Sequence, residues 1–182
     1  MVRKKVYKKQ HILAAARDLL TEEGFSFITA RNVAEHMGIS TQPIYLEFKN
    51  MEELKLTLLK TTHERLENEF FSKKQISHSL SNFGLNFINL AKSNSKMYIS
   101  LYVDQHSYGQ ELKQLSFDFF QKSIQADGMY LDASKEQLEN LHMKAWIVAT
   151  GMASLSISGM VNQTEEQLIK VFTTIEKNSE IT

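Results

Sequence analysis

Few residues in this chain have the spacing that catalysis or metal binding requires. The nearest approach to a metal site is His63 with Glu67, four apart on a predicted helix and therefore on one face. Two ligands without a third do not close a coordination shell, and a surface pair is the simpler expectation. The other histidines are scattered, and there are no cysteines, so neither a thiolate site nor a disulfide framework is available. No glycine-rich phosphate loop, His-Glu-x-x-His helix or nucleophile elbow occurs. The chain therefore does not read as an enzyme, and no cofactor or metal is expected. What remains suits binding. A polar run, Thr41-Gln42-Pro43, is followed by Tyr45 and Lys49, and the C-terminal half is rich in aromatic residues and methionine.

The polar run sits between two short apolar-periodic segments. Thr29 can cap a helix with Val33 at its fourth position, and Ile28 precedes the cap, as in a hydrophobic staple. Ser40 repeats the device with Ile39 before it and Ile44 at the fourth position. Pro43 would then be the third helical residue and has no N–H, so Ser40 is expected to cap Gln42. Gly38 lies between the segments, where a tight turn needs a residue free to take positive φ. Asn50-Met51-Glu52-Glu53 supplies a further cap with a carboxylate three residues on, and opens a third helix. Helix, glycine turn, helix is the predicted organisation.

With Gly38-Ile39-Ser40, Ile44-Tyr45, Phe48, Asn50, Glu52 and Leu54 in this register, and Gly24-Phe25, Thr29, Val33-Ala34 and Met37 upstream, the stretch resembles the DNA-binding domain of the TetR family of bacterial repressors. Two positions depart from that pattern: the family's usual histidine is Glu47, and its usual lysine at the start of the next helix is Met51. Both changes remove or reverse charge where phosphate is expected, so affinity is expected to rest more on backbone N–H groups and on Lys49.

The resemblance implies an all-α protein with a helix-turn-helix DNA-binding domain at 1–49, a connecting helix at 50–72 and a regulatory and dimerisation domain at 73–182. It implies a cytoplasmic transcriptional regulator, a repressor that binds a palindromic operator in double-stranded DNA as a homodimer and answers to a small-molecule inducer. Thr41, Gln42 and Pro43 would face the major groove, Gln42 suited to an adenine edge and Pro43 to a thymine methyl. Tyr45 and Lys49 would hold phosphate, and Lys8, Thr29, Ala30, Arg31, Ser40 and Leu46 complete the DNA-facing set. The alternative is a TetR-like fold that acts through a protein partner with DNA binding weakened, for which Glu47 and Met51 are the support.

The charge distribution agrees with a local nucleic-acid site. The formal net charge is zero, which excludes a surface that grips nucleic acid all over. Up to Lys60, however, ten Lys and Arg stand against seven Asp and Glu, and the remainder carries eleven against fourteen. The leader Arg3-Lys4-Lys5-Val6-Tyr7-Lys8-Lys9 is basic without an apolar run behind it, so it is no signal peptide but could lie along phosphates.

Helical periodicity continues to the end of the chain. Lys8 to Glu23 is an amphipathic helix closed by Gly24. A long helix is expected from Asn50 to about Phe71, then helices over 76–91, 95–103, 110–125 and 138–160, with capping boxes at Ser134-Lys-Glu-Gln137 and Thr164-Glu-Glu-Gln167. The only uncharged stretch long enough to suggest a membrane span, 145–164, is diluted by Gly151, Gly159, Asn162 and Gln163; a buried helix is the preferred reading. Most aromatic and methionine residues of this half are expected in the core. By the family resemblance some would line an inducer cavity, and Phe83, Phe87, Tyr98, Tyr102, Phe117, Phe120, Met143 and Trp146 are the candidates, with His106 as a polar contact. The resemblance also implies that the last two helices pair with their copies in a four-helix dimer interface, through Ala145, Ala149, Met152, Leu168, Phe172 and Ile175.

Overall fold

The computed structural model describes residues 7–179, so Arg3, Lys4 and Lys5 of the basic leader lie outside the described residues. Among these residues the chain is helical with no strand: α1 (Lys9–Glu23), α2 (Ala30–His36), α3 (Gln42–Glu47), α4 (Met51–Leu66), α5 (Ser79–Ser93), α6 (Ser95–Tyr102), α7 (Gly109–Ala126), α8 (Lys135–Ile157) and α9 (Glu165–Lys177). They form two compact units. One comprises residues up to Glu64 with Lys96–Tyr108, and the other Arg65–Ser95 with Gly109 onward. The segment 96–108, grouped with the C-terminal half by sequence, is thus part of the first unit.

In the first unit α1 packs on α2, α3 and a 3₁₀ turn at Phe25–Phe27. Ile12, Ala16 and Leu20 on α1 are fully buried with Ile28, Val33, Ile44 and Leu54, and each of the larger aliphatic side chains is worth about 1.5–3 kcal/mol when it leaves water. Gly24 takes φ +91° as α1 ends, and Gly38 takes φ +64° in the turn between α2 and α3. Side chains that carry Cβ rarely adopt either conformation, so glycine fits both turns. Thr29 Oγ1 accepts the Asn32 N–H at 3.1 Å and caps α2. The expected cap at Ser40 does not form. Helix α3 begins one residue later than expected, with Thr41 at its N-cap and no side-chain cap, and Pro43 falls in the first turn at its second position. There the missing N–H costs nothing and the ring's fixed φ suits the helix, so proline replaces the cap as the start signal. Asn50 Oδ1 accepts the Glu53 N–H at 2.9 Å and starts α4.

His63 is 1% exposed, which corrects the expectation of a surface pair with Glu67. No group of three His, Cys, Asp or Glu that could hold a metal is present among the described residues. Helix α4 ends in a π turn, Glu67–Phe71, a wide turn that apolar periodicity did not foretell.

In the second unit α5 packs on α7, α8 and α9, and α8 packs on α7 and α9. Helix α5 starts at Ser79 and not Ile76, because Asn82 Oδ1 accepts the N–H groups of Gln75 and Ile76 and holds them out of the helix. The cap is His78, whose Nδ1 accepts the Ser81 N–H at 3.2 Å. The capping boxes at Ser134 and Thr164 both form. Helix α8 stops at Ile157, before the expected Met160, and Gly159 follows at φ +72°. No helix among the described residues is long and apolar enough to cross a membrane.

Candidate functional site

Helix α3 has two faces of opposite character. Ile44, and Phe48 just beyond the helix, are buried, whereas Tyr45 is 55% exposed and Leu46 77% exposed, with Thr41 and Gln42 also in solvent and Pro43 half-buried. Of the other DNA-facing candidates, Lys8, Thr29, Arg31, Ser40 and Lys49 are exposed, but Ala30 is buried and can offer no side-chain contact. Thr29 is engaged as the α2 cap.

The junction between α3 and α4 is tied to the start of α1. Glu47 Oε2 accepts the Lys9 N–H at 3.0 Å, so this acidic departure caps α1. The Lys9 ammonium lies 2.7 Å from Glu53 Oε1 and 4.6 Å from the centre of the Phe48 ring, while Glu53 Oε2 accepts the Lys49 N–H at 2.8 Å. The Lys9 hydrogen bond, and then the Lys49 N–H, hold the Glu53 carboxyl below its ordinary range. Lys9 is thereby paired. The Lys49 side chain has no carboxylate within salt-bridge distance among the described residues, and its ammonium is left to solvent.

The aromatic candidates divide between the two units. Tyr98, Tyr102 and His106 belong to the first. Tyr98 is fully buried with its ring centre 5.4 Å from that of Tyr102. His106 Nε2–H donates to the Leu101 carbonyl at 2.8 Å, its Nδ1 accepts the Tyr108 N–H at 3.2 Å, and its ring lies 5.2 Å from Phe25. Both nitrogens are occupied, which leaves no polar atom for a ligand. The second unit gathers Phe83, Phe117, Phe120 and Trp146 around a residue the sequence reading passed over, His142, with Phe87 packed on Phe83 and Met143 half-buried on α8. The space among Phe71, Phe83, Phe119 and Phe120 is about 10 Å³, room for one water at most. These rings are core.

A larger opening, about 120 Å³, lies between α7 and α8, lined by Gln110, Lys113, Gln114, Phe117, Glu139 and His142. The four α7 residues recur at helical spacing on one face, a signal present in the sequence but masked by the more conspicuous aromatics. His142 is 1% exposed, stacks on Trp146 with centroids 5.5 Å apart, and has Nε2 3.0 Å from Ser116 Oγ. Burial, and then the Lys113 ammonium, push His142 down to about 4. The unfolded chain would take up this proton near 6.5, whereas the native protein resists until about 4. Stability contributed by neutral His142 is therefore present above pH 6.5 and lost as pH falls towards 4, a change on the order of 3 kcal/mol. Urea unfolding at pH 7 and pH 4.5 is expected to show this loss in the wild type and a smaller one in a His142→Gln protein; equal losses would contradict it.

Most residues expected at a dimer interface face inward. Ala145, Ala149 and Phe172 are fully buried and Leu168 is 2% exposed within the chain's own core, while Met152 and Ile175 are half-buried. Helix α8 is apolar on both sides, so periodicity could not tell inner from outer. Its solvent face carries Ile147 at 63% exposure and Leu155 at 42%, with Gly151 one turn from each.

Residues 12–57, which enclose α2, the glycine turn and α3, match the family model of bacterial regulatory proteins, tetR family. In three dimensions the chain is similar to a protein of Vibrio parahaemolyticus assigned to the TetR family of transcriptional regulators, with TM-score 0.60 and 19% identity over 91% of this chain and 95% of that one. It is also similar to the fatty acid degradation regulator FadR of Bacillus halodurans (TM-score 0.57, 12% identity, 95% and 96% covered). A third likeness is to the flavonoid-responsive regulator FrrA (TM-score 0.57, 17% identity, 94% of each chain). Among curated proteins none is significantly similar in sequence. The likeness in sequence to the tetR family of bacterial regulatory proteins thus covers residues 12–57, and the chain as a whole shares its fold with these solved regulators.

Proposed function

We propose that this protein is a cytoplasmic DNA-binding repressor that grips a palindromic operator as a homodimer and releases it when a small molecule binds its C-terminal unit. The observation that carries this reading is the outward face of α3. Exposed Tyr45 and Leu46 on a helix whose other face is core are costly to leave in water and fit the major groove, which admits one helix. Lys8, Arg31 and Lys49 are exposed and have no carboxylate partner among the described residues, as phosphate contacts require. Glu47 is spent on capping α1, which weakens the case for a fold that has given up DNA.

A homodimer is supported by the outer apolar face of α8, since a symmetric operator needs two recognition helices spaced by about one turn of DNA, roughly 34 Å. A ligand can lower DNA affinity only by preferring the conformation whose recognition helices are wrongly spaced. Helix α4 is the element through which such a preference would pass, because it starts at the Asn50 cap beside α3 and runs into the second unit.

Duplexes selected from a random library by the wild type provide the test. Gln42→Ala is expected to cost about 1–3 kcal/mol at one base position and to relax preference there, whereas Lys49→Ala weakens every sequence alike. Equal loss on all sequences for Gln42→Ala would overturn the assignment of α3 as the reading helix.

A further inference from the structure

We propose that the cleft between α7 and α8 binds a small aromatic carboxylate, its ring against Phe117 and His142 and its carboxylate on Lys113. This rests on the reading that the C-terminal unit holds the regulatory ligand, and it names the ligand's chemical class.

Size comes first. The cleft holds about 120 Å³ and is open to solvent at its mouth, against the roughly 150 Å³ of a closed apolar cavity that accepts benzene, so a single ring can enter with its substituent left at the mouth and a long acyl chain does not fit. The floor is aromatic. Phe117 is 4% exposed and His142 1%, and their rings meet edge-on with centroids 5.6 Å apart. His142 is held at Nε2 by Ser116 Oγ and stacked on Trp146, so the imidazole is fixed in place before any ligand arrives. A planar ring gains more on such a floor than an aliphatic one, because its edge and face can both be matched to neighbouring rings.

Charge selects the substituent. Lys113 is exposed at the mouth, and no carboxylate lies within salt-bridge distance of it among the described residues. Its charge nonetheless reaches the cleft floor, since it acts on His142. The one carboxylate in the lining, Glu139, is already 3.6 Å from the Lys135 ammonium. Asp118 accepts the Gln114 amide N–H at 2.8 Å and does not line the cleft. The mouth therefore presents one uncompensated cation above an aromatic floor, the complement of a ring that carries a single carboxylate.

The test uses benzoate, with benzamide as the neutral molecule of the same shape, and follows the emission of Trp146, the sole tryptophan. In the full chain benzoate is expected to change the emission saturably and to bind at least about tenfold more tightly than benzamide, the size of one hydrogen bond to a charged group. Lys113→Met should erase the difference while leaving benzamide binding intact, and Lys113→Arg should restore most of it. Equal affinity for the two probes, indifference of benzoate to Lys113→Met, or no saturable change with either probe would each overturn the proposal. Duplex DNA binding measured on the same samples separates this from the functional reading. A protein that binds DNA but not benzoate loses only the ligand class. One that binds benzoate through Lys113 but not DNA keeps the cleft and loses the repressor.

Discussion

Glutamate in place of Ile147 or Leu155 is expected to turn dimers into monomers and to lower operator affinity by at least about a hundredfold. Both side chains stand on the outer face of α8, one turn either side of Gly151, which allows a second helix to approach closely. In the proposed homodimer each would lie against its copy, and an unpaired carboxylate buried there costs roughly 3–5 kcal/mol per site. A monomer keeps one recognition helix and loses the second half-site, so the loss on DNA follows from the loss of the dimer. Sedimentation velocity reads the first effect and a DNA titration the second. Dimers of wild-type stability would show that the interface lies elsewhere. The same substitution at Leu168 or Phe172 is not equivalent, because those side chains are in the core of the chain itself, and a charge there would unfold the unit before it touched any interface.

The second large effect concerns that core. A Cβ on Gly84 would lie 2.2 Å from the ring of Phe172, far inside van der Waals contact, so α5 and α9 approach as they do only because residue 84 has no side chain. Gly84→Ala is expected to destabilise the second unit by about 1–3 kcal/mol although alanine is the better helix former. Phe172→Ala leaves a cavity and should cost about 3–5 kcal/mol. The two changes act on one contact, so the double variant should lose clearly less than the sum of the single losses, because the truncated ring leaves space for the new methyl. Denaturant unfolding of the four proteins provides the check, and additive losses would mean that the backbone yields and the ring does not set the limit.

The parts of this fold that were legible in the sequence are those in which one residue does one local job. Thr29, Asn50, Ser134 and Thr164 each place a side-chain oxygen on a backbone N–H three residues on, and all four mark helix starts within a residue. Gly24 and Gly38 mark turns that need positive φ. What was not legible depended on longer range or on an unusual donor. His78 caps α5 with a ring nitrogen, and Asn82 reaches back to Gln75 and Ile76, so the apolar pattern overran the true start. The small residues Ala145, Ala149 and Ala153 do signal close helix approach, yet nothing in their spacing says whether the neighbour is in the same chain or a copy. For the outer face of α3, the register of Thr41 to Lys49 was readable because helical periodicity separates Ile44 and Phe48 from Tyr45 and Leu46. The cleft was not, since its lining is mostly polar and His142 shows its role only once Ser116, Phe117 and Trp146 surround it.

Engagement of duplex DNA by the α3 face and its flanking cations, as proposed, is read by a salt titration of binding to random duplex. If it holds, the logarithm of the binding constant falls linearly with the logarithm of salt concentration, with about −0.9 in slope for each phosphate neutralised. Lys49→Ala then reduces the slope by about one for each protomer bound. Binding that does not change with salt, or a slope unmoved by Lys49→Ala together with Arg31→Ala, would contradict a DNA-binding role for this face.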